Sequence, residues 1–259
     1  MENKKQETRI NILPAILCRI WALWALLLFA GTMLVAFIFY LPCFLLNDPQ
    51  KSYWHRHVSR AWMTVYLNLI GCPLVVRHKE NYFAGTNYIV VCNHSSLMDV
   101  PVSTPFMPRA NKTIAKKSFT KVPFFGWIYT FGSVLVDRNS DASRRKSFED
   151  MKRVLALGLD MVIYPEGTRN RTADPLKKFY DGAFRLSVDT GKPILPVVLF
   201  NTAKVLPANR FFYLRPRKLE MHILPPVNPA EKKTEQLRTE VFELMWNYLR
   251  KNQQQQEPV

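Results

Sequence analysis

At 259 residues and 48% hydrophobic, the chain is long enough to bury an α/β core and too apolar for a disordered tail. Its net charge of +16 suits anionic partners: nucleic acid, lipid headgroups, phosphorylated cofactors or acidic proteins. Four cysteines, at 18, 43, 72 and 92, form no CxxC and no Cys/His grouping, which argues against a zinc site and a disulfide framework and fits a reducing compartment.

A polar tail over 1–11 precedes an uncharged run from Ile20 to Leu46. About 20 helical residues cross a hydrocarbon core, so the run is long enough to do so. It is too long for a secretory signal peptide and lacks a cleavage-like tripeptide. Lys4, Lys5, Arg9 and Arg19 precede it while Lys51, Arg56 and Arg60 follow, so the positive-inside rule gives no orientation. The first fifty residues hold those first four cations against Glu2, Glu7 and Asp48, which leaves +15 for the rest. Pro42 ends or kinks the helix. Trp54, Val58, Trp62, Val65 and Leu69 then recur at helical spacing, either as an interfacial amphipathic helix or as a helix packed on a soluble core. Residues 12–70 read as a helical hairpin lying in one leaflet, with a single span as the alternative.

Beyond Gly71 the chain reads as an α/β domain over 71–250, a mixed central β-sheet flanked by helices. Strands are expected at Pro73–Arg77, Asn87–Cys92, Lys112–Ala115, Gly132–Val136, Asp160–Tyr164 and Ile194–Phe200, and helices at Ser143–Leu157, Asp181–Thr190 and Lys232–Arg250. Residues 251–259 are a low-complexity tail.

Three strand ends carry chemistry-bearing side chains. Asn93-His94-Ser95-Ser96-Leu97-Met98-Asp99 follows the strand NYIVVC, where open α/β sheets place ligands. A carboxylate on one imidazole nitrogen fixes the tautomer and leaves the other nitrogen to take a proton from an alcohol. A His and an Asp five apart fit a satisfied core histidine as well. Tyr164-Pro165-Glu166-Gly167-Thr168-Arg169 also follows an apolar strand. Its glycine permits close backbone approach, Thr168 can donate to phosphate oxygens, and Arg169 offers a planar fork. Glu166 reads as an orienting group for Arg169 or for an acceptor hydroxyl. Arg138, closing GSVLVDR, is either a second phosphate clamp or a solvated strand end. Pro193–Val197 reads as an apolar wall of the site. Cys92 reads as a packed strand residue.

Together these motifs resemble the glycerolipid acyltransferases of the 1-acyl-glycerol-3-phosphate acyltransferase type. Asn93–Asp99 matches their NHxxxxD motif, Gly132–Arg138 their glycine-to-arginine strand, Tyr164–Arg169 their (F/Y)PEGTR motif and Pro193–Val197 their proline-centred motif. Ala115–Trp127 resembles the stretch between the first two, and the likeness covers roughly 70–215. It implies that His94 is the general base held by Asp99, and that Asn93, Arg138, Glu166, Gly167, Thr168 and Arg169 bind the acceptor. It further implies a membrane enzyme facing the bacterial cytoplasm, using membrane phospholipids, a lysophospholipid acceptor and acyl-CoA or acyl-carrier protein as co-substrate. No metal, cofactor or nucleic acid is expected. Asn170 stands where many relatives have serine. A lipid phosphatase would need a metal cluster or attacking nucleophile that the sequence lacks. A non-catalytic anionic-lipid module and a lyso-aminolipid acceptor remain as alternatives.

Overall fold

The computed structural model describes residues 12–137 and 139–254. The expected tail 1–11, Arg138, and residues 255–259 of the low-complexity tail lie outside the described residues. Helix α1 (Ile12–Tyr40) runs through a short 3-10 turn into α2 (Gln50–Leu69). Then come β1 (Leu74–Arg77), β2 (Ile89–Cys92), α3 (Asp99–Ser103), β3 (Asn111–Lys116), α4 (Phe125–Phe131) and β4 (Ser133–Val136). The chain continues through α5 (Asp141–Ala156), β5 (Asp160–Ile163), α6 (Gly182–Thr190), β6 (Ile194–Phe200), α7 (Thr202–Val205), β7 (Leu219–Ile223) and α8 (Thr234–Gln254).

The sheet order is β1-β7-β6-β2-β5-β3-β4. Neighbours are parallel except β6 and β7, so β1 and β7 run against the other five strands and the sheet is mixed. Every residue of β2, β5 and β6 is buried, which is why these strands are apolar throughout instead of alternating. Helix α8 sets Leu237, Val241, Met245 and Leu249 against one face of the sheet at four-residue spacing. Helix α5 begins at Ser140, whose hydroxyl accepts the Ser143 N–H at 3.2 Å, and buries Met151, Val154 and Leu155. β7 is absent from the sequence expectations because Glu220 and His222 interrupt its apolar residues. Glu220 accepts from Arg77 at 2.8 Å and pairs with His222 at 3.0 Å, which neutralises the interruption.

The hairpin is not a separate layer. Ala25, Tyr40, Cys43, Met63, Leu67 and Ile70 share one apolar cluster with Val90, Cys92, Val197 and Met221 of the sheet. Polar contacts fix the same arrangement: Trp21 Nε1 donates to the Ile70 carbonyl at 3.0 Å, and the Tyr40 and Ser59 hydroxyls meet at 2.6 Å. The half-buried Asp48 before α2 holds Lys112 of β3 at 2.6 Å. The outer face of α1 stays uncovered, with Leu27 60% and Ile38 62% exposed, so α1 is not the core helix of a water-soluble domain.

Between β3 and α4 the backbone turns tightly enough to force Phe124 to φ 58°, a costly conformation for an aromatic residue. A side chain on Gly126 would collide with the Thr120 carbonyl. Gly126→Ala is expected to lower stability by about 1–3 kcal/mol, because backbone has to move to admit the methyl group. Thermal unfolding of the detergent-solubilised protein measures it, and an unchanged midpoint would contradict this packing.

Candidate active site

Because β2, β4, β5 and β6 run the same way, the loops that follow them emerge at one edge of the sheet. His94 leaves the end of β2 and Asp99 opens α3. The His94 Nδ1–H donates to Asp99 Oδ2 at 2.8 Å, a tautomer assigned from the carboxylate, which only accepts when ionised. That same Oδ2 takes the backbone N–H groups of Ser95 at 2.7 Å and Ser96 at 2.8 Å. Asp99 is fully buried, and its Oδ1 has no hydrogen-bond partner among the described residues. The three charge-assisted bonds to Oδ2 offset that cost. No described residue bonds His94 Nε2, and the side chain is 19% exposed. One imidazole nitrogen is therefore held and protonated while the other is available to solvent or substrate.

Tyr164 supports the ring from one side, with centroids 4.5 Å apart, and its hydroxyl is hydrogen-bonded to Ser103 at 2.7 Å. Desolvation pushes the Tyr164 phenol well above its usual range, so it stays neutral beneath His94. Burial likewise raises the Cys92 thiol, which leaves it unreactive inside β2.

Several of the expected acceptor-binding residues have their polar atoms engaged within the fold. The Asn93 side chain donates to the Leu199 carbonyl at 3.1 Å and accepts the Leu199 N–H at 2.8 Å. It pins β2 to β6, with both amide atoms engaged. Glu166, expected to orient Arg169 or an acceptor hydroxyl, is only 1% exposed. It accepts the His94 N–H at 2.7 Å through Oε1 and the Lys177 N–H at 2.9 Å through Oε2. Two backbone donors from separate loops thus hold the carboxylate in place. Gly167 has φ 70°, a backbone conformation that favours glycine, and a Cβ there would also lie 2.8 Å from the exposed Tyr180 ring. Thr168 is exposed and Arg169 half-buried, and the Arg169 guanidinium has no hydrogen-bond or ion-pair partner among the described residues. Arg138 lies outside them. Asn170 donates its backbone N–H to the His94 carbonyl at 2.6 Å, which ties the two motifs together from a second point.

Lys177 lies outside every sequence motif described above. The structure brings its ammonium to 2.7 Å from the Thr168 hydroxyl, on a backbone held by Glu166. No sequence signal at eleven residues' distance from Glu166 could have found it, because loop closure created the contact. A groove of about 710 Å³ along β4 and α5, lined by Asp48, Lys112 and Lys146, contains none of these residues.

The chain thus sets a His–Asp pair at the carboxyl edge of an open, mostly parallel α/β sheet, beside a cationic loop. A sequence model of the Acyltransferase family matches residues 73–200, the span that holds both motifs. Residues 73–200 thus form an acyltransferase-family domain, and the chain is similar to proteins named 1-acyl-sn-glycerol-3-phosphate acyltransferase. One from Salmonella typhimurium is 32% identical over 161 residues, covering 61% of this chain and 63% of that protein. One from Cocos nucifera is 29% identical over 171 residues, covering 65% and 54%. The matched region thus spans between half and two thirds of those relatives' length. The fold matches the crystal structure of the 1-acyl-sn-glycerophosphate acyltransferase PlsC from Thermotoga maritima, with a TM-score of 0.74 at 24% identity, over 94% of this chain and 98% of that one.

Burial pushes the Glu166 carboxyl up to about 7 from 4.5, against the pull of its two backbone N–H bonds. A carboxyl raised by folding favours the folded state while protonated, so its contribution is full below pH 4.5 and is lost as pH rises through about 7. Asp160, held by the Tyr82 hydroxyl and the Tyr88 N–H and also pushed up to about 7, adds a second loss in that range. Glu166→Gln is expected to flatten, without abolishing, the fall in stability between those pH values. Denaturant melts at pH 4.5, 6 and 7.5 measure it; an unaltered slope would show that Glu166 is ionised throughout.

Proposed function

We propose that the chain transfers a fatty acyl group from an acyl thioester, either acyl-CoA or acyl-carrier protein, to the sn-2 hydroxyl of 1-acyl-glycerol-3-phosphate, giving phosphatidate. The observation that carries this reading is the unoccupied His94 Nε2, opposite a nitrogen fixed by Asp99. The acceptor hydroxyl gives its proton to Nε2 as its oxygen attacks the thioester carbonyl. Asp99 stabilises the imidazolium so formed. Collapse of the tetrahedral intermediate expels the thiolate, which takes the proton back from His94. A thioester is already activated, so no acyl-enzyme is required, in keeping with the raised thiol of Cys92. Arg169, Thr168 and Lys177 supply donors for the acceptor phosphate.

The substrates are lipids, and the hairpin supports residence in one leaflet. The start of α1 is bonded to the globular part, where the Leu214 N–H donates to the Cys18 carbonyl at 3.2 Å. Its far end packs on the same globular part, where Phe37 lies 5.6 Å from Trp127 and Phe44 lies 5.0 Å from Phe131. From residue 18 to the end of α1 at Tyr40 the helix covers about 33 Å, more than the ~30 Å hydrocarbon core. A spanning helix would carry those contacts to opposite sides of the bilayer, which one water-soluble domain cannot follow. The chain then works at one membrane face, with its site towards the cytoplasm that holds the acyl thioesters.

Acyl transfer by purified protein, offered radiolabelled acyl-CoA or acyl-carrier protein with 1-acyl-glycerol-3-phosphate, tests the reading. Wild type is expected to form phosphatidate, and His94→Ala and Asp99→Asn to lose about 10²–10⁴ in kcat. No product from folded wild-type protein with either donor would refute it. Lys177→Met is expected to raise KM for the phosphate-bearing acceptor about tenfold. A phosphate-free lysolipid should show no such change, and equal effects on both acceptors would make Lys177 purely structural.

A further inference from the structure

One exposed segment outside the family match remains without a role. Residues 201–218 carry Lys204, Arg210, Arg215, Arg217 and Lys218 and no carboxylate. Within them Phe211 is 93% and Phe212 39% exposed, adjacent aromatic side chains that no core covers. Phe212 is held at φ 50°, so the pair is built outward against a backbone cost. Lys218 pairs with Glu220, and Arg210 lies over the Tyr213 ring at 4.9 Å. Arg215 and Arg217 have no carboxylate partner among the described residues.

The segment is anchored at both its functional neighbours. Towards the hairpin, the Leu214 N–H donates to the Cys18 carbonyl at 3.2 Å. Around that anchor α1 leaves Leu13, Ile16, Leu17 and Ile20 exposed. Towards the site, the Ser96 hydroxyl donates to the Leu206 carbonyl at 2.7 Å, and the Ser95 and Thr202 hydroxyls meet at 3.3 Å. One loop therefore links the lipid-facing start of α1 to the loop that carries His94.

We propose that residues 207–218 are a membrane-docking finger, in which Phe211 and Phe212 enter the interface of an anionic bilayer while Arg210, Arg215 and Arg217 contact lipid phosphates. Exposed aromatics flanked by cations match the interfacial region, apolar on one side and anionic on the other. An acidic carrier protein would satisfy the arginines and leave two adjacent phenyl rings without a reason to be exposed. The continuity with α1 favours the lipid surface. Docking there holds the bilayer against the mouth of the His94 site, where an acceptor leaves its leaflet by the shortest path. The proposal rests on the one-leaflet reading of α1, but its test needs no catalysis.

A polarity-sensitive fluorophore is attached through Phe211→Cys in a Cys18→Ser background; the other three cysteines are buried. In full-length protein reconstituted in phosphatidylglycerol vesicles, the emission is expected to shift to the blue and to be quenched by lipid-borne nitroxides. Adding Arg210→Gln, Arg215→Gln and Arg217→Gln should weaken the quenching, and high salt should do the same. An emission indistinguishable from that in water overturns the proposal. So does a blue shift that appears only on adding acyl-carrier protein, which would assign the finger to a protein partner. If transfer is active, Phe211→Ser/Phe212→Ser should raise KM for vesicle-borne acceptor about tenfold and leave a monodisperse short-chain acceptor unaffected. Both variants lie on the surface, so folding is not at stake. Equal KM for the two acceptors would also overturn it.

Discussion

Two backbone N–H groups from different loops, those of His94 and Lys177, converge on the single carboxylate of Glu166, and the site's geometry follows from that convergence. The first donor fixes where the polypeptide leaves β2, and so where the imidazole starts. The second draws the far end of the loop after β5 back over its beginning, which delivers the Lys177 ammonium to the Thr168 hydroxyl. Without this buried carboxylate the two loops would share a sheet edge and little else. Its burial is costly for a charge, and the raised carboxyl is the sign of that cost.

A second carboxylate applies the same logic at shorter range. Asp99 gathers three N–H donors on one oxygen, two from the backbone of its own loop and one from the imidazole. The backbone bonds hold the carboxylate still, and the still carboxylate then holds the ring. Asn93 adds the third constraint by tying the strand end to β6. A proton acceptor positioned in this way loses little entropy when it acts.

The hairpin and the sheet form one cooperative unit. Cys43, Leu67 and Ile70 are buried in the same cluster as Val90 and Val197, so the surface that meets lipid is rigidly referenced to the strands that position His94. An anchor joined by a flexible linker would give no fixed distance between membrane and base. Here the aromatic contacts of Phe37 and Phe44 at one end, and of Cys18 at the other, make that distance a property of the fold.

Much of this was legible in the residues. The uncharged run from Ile20, the apolar strands before His94 and Tyr164, and the stripe of the last helix depend on local periodicity, which a sequence displays directly. The pairing of His94 with Asp99 is equally local, because five residues span one turn. What the sequence could not display was the use of groups by distant backbone. Asn93 and Glu166 look like ligand-binding side chains in a motif, yet their polar atoms are taken by Leu199, His94 and Lys177, partners set by strand order and loop closure. β7 was hidden because Glu220 finds Arg77 only once β1 lies beside it. The sequence alone determined which groups can move a proton and which surface avoids water. Tertiary structure decided which polar groups remain free to meet a substrate, since a hydrogen bond already made to backbone leaves a side chain as frame and no longer as tool.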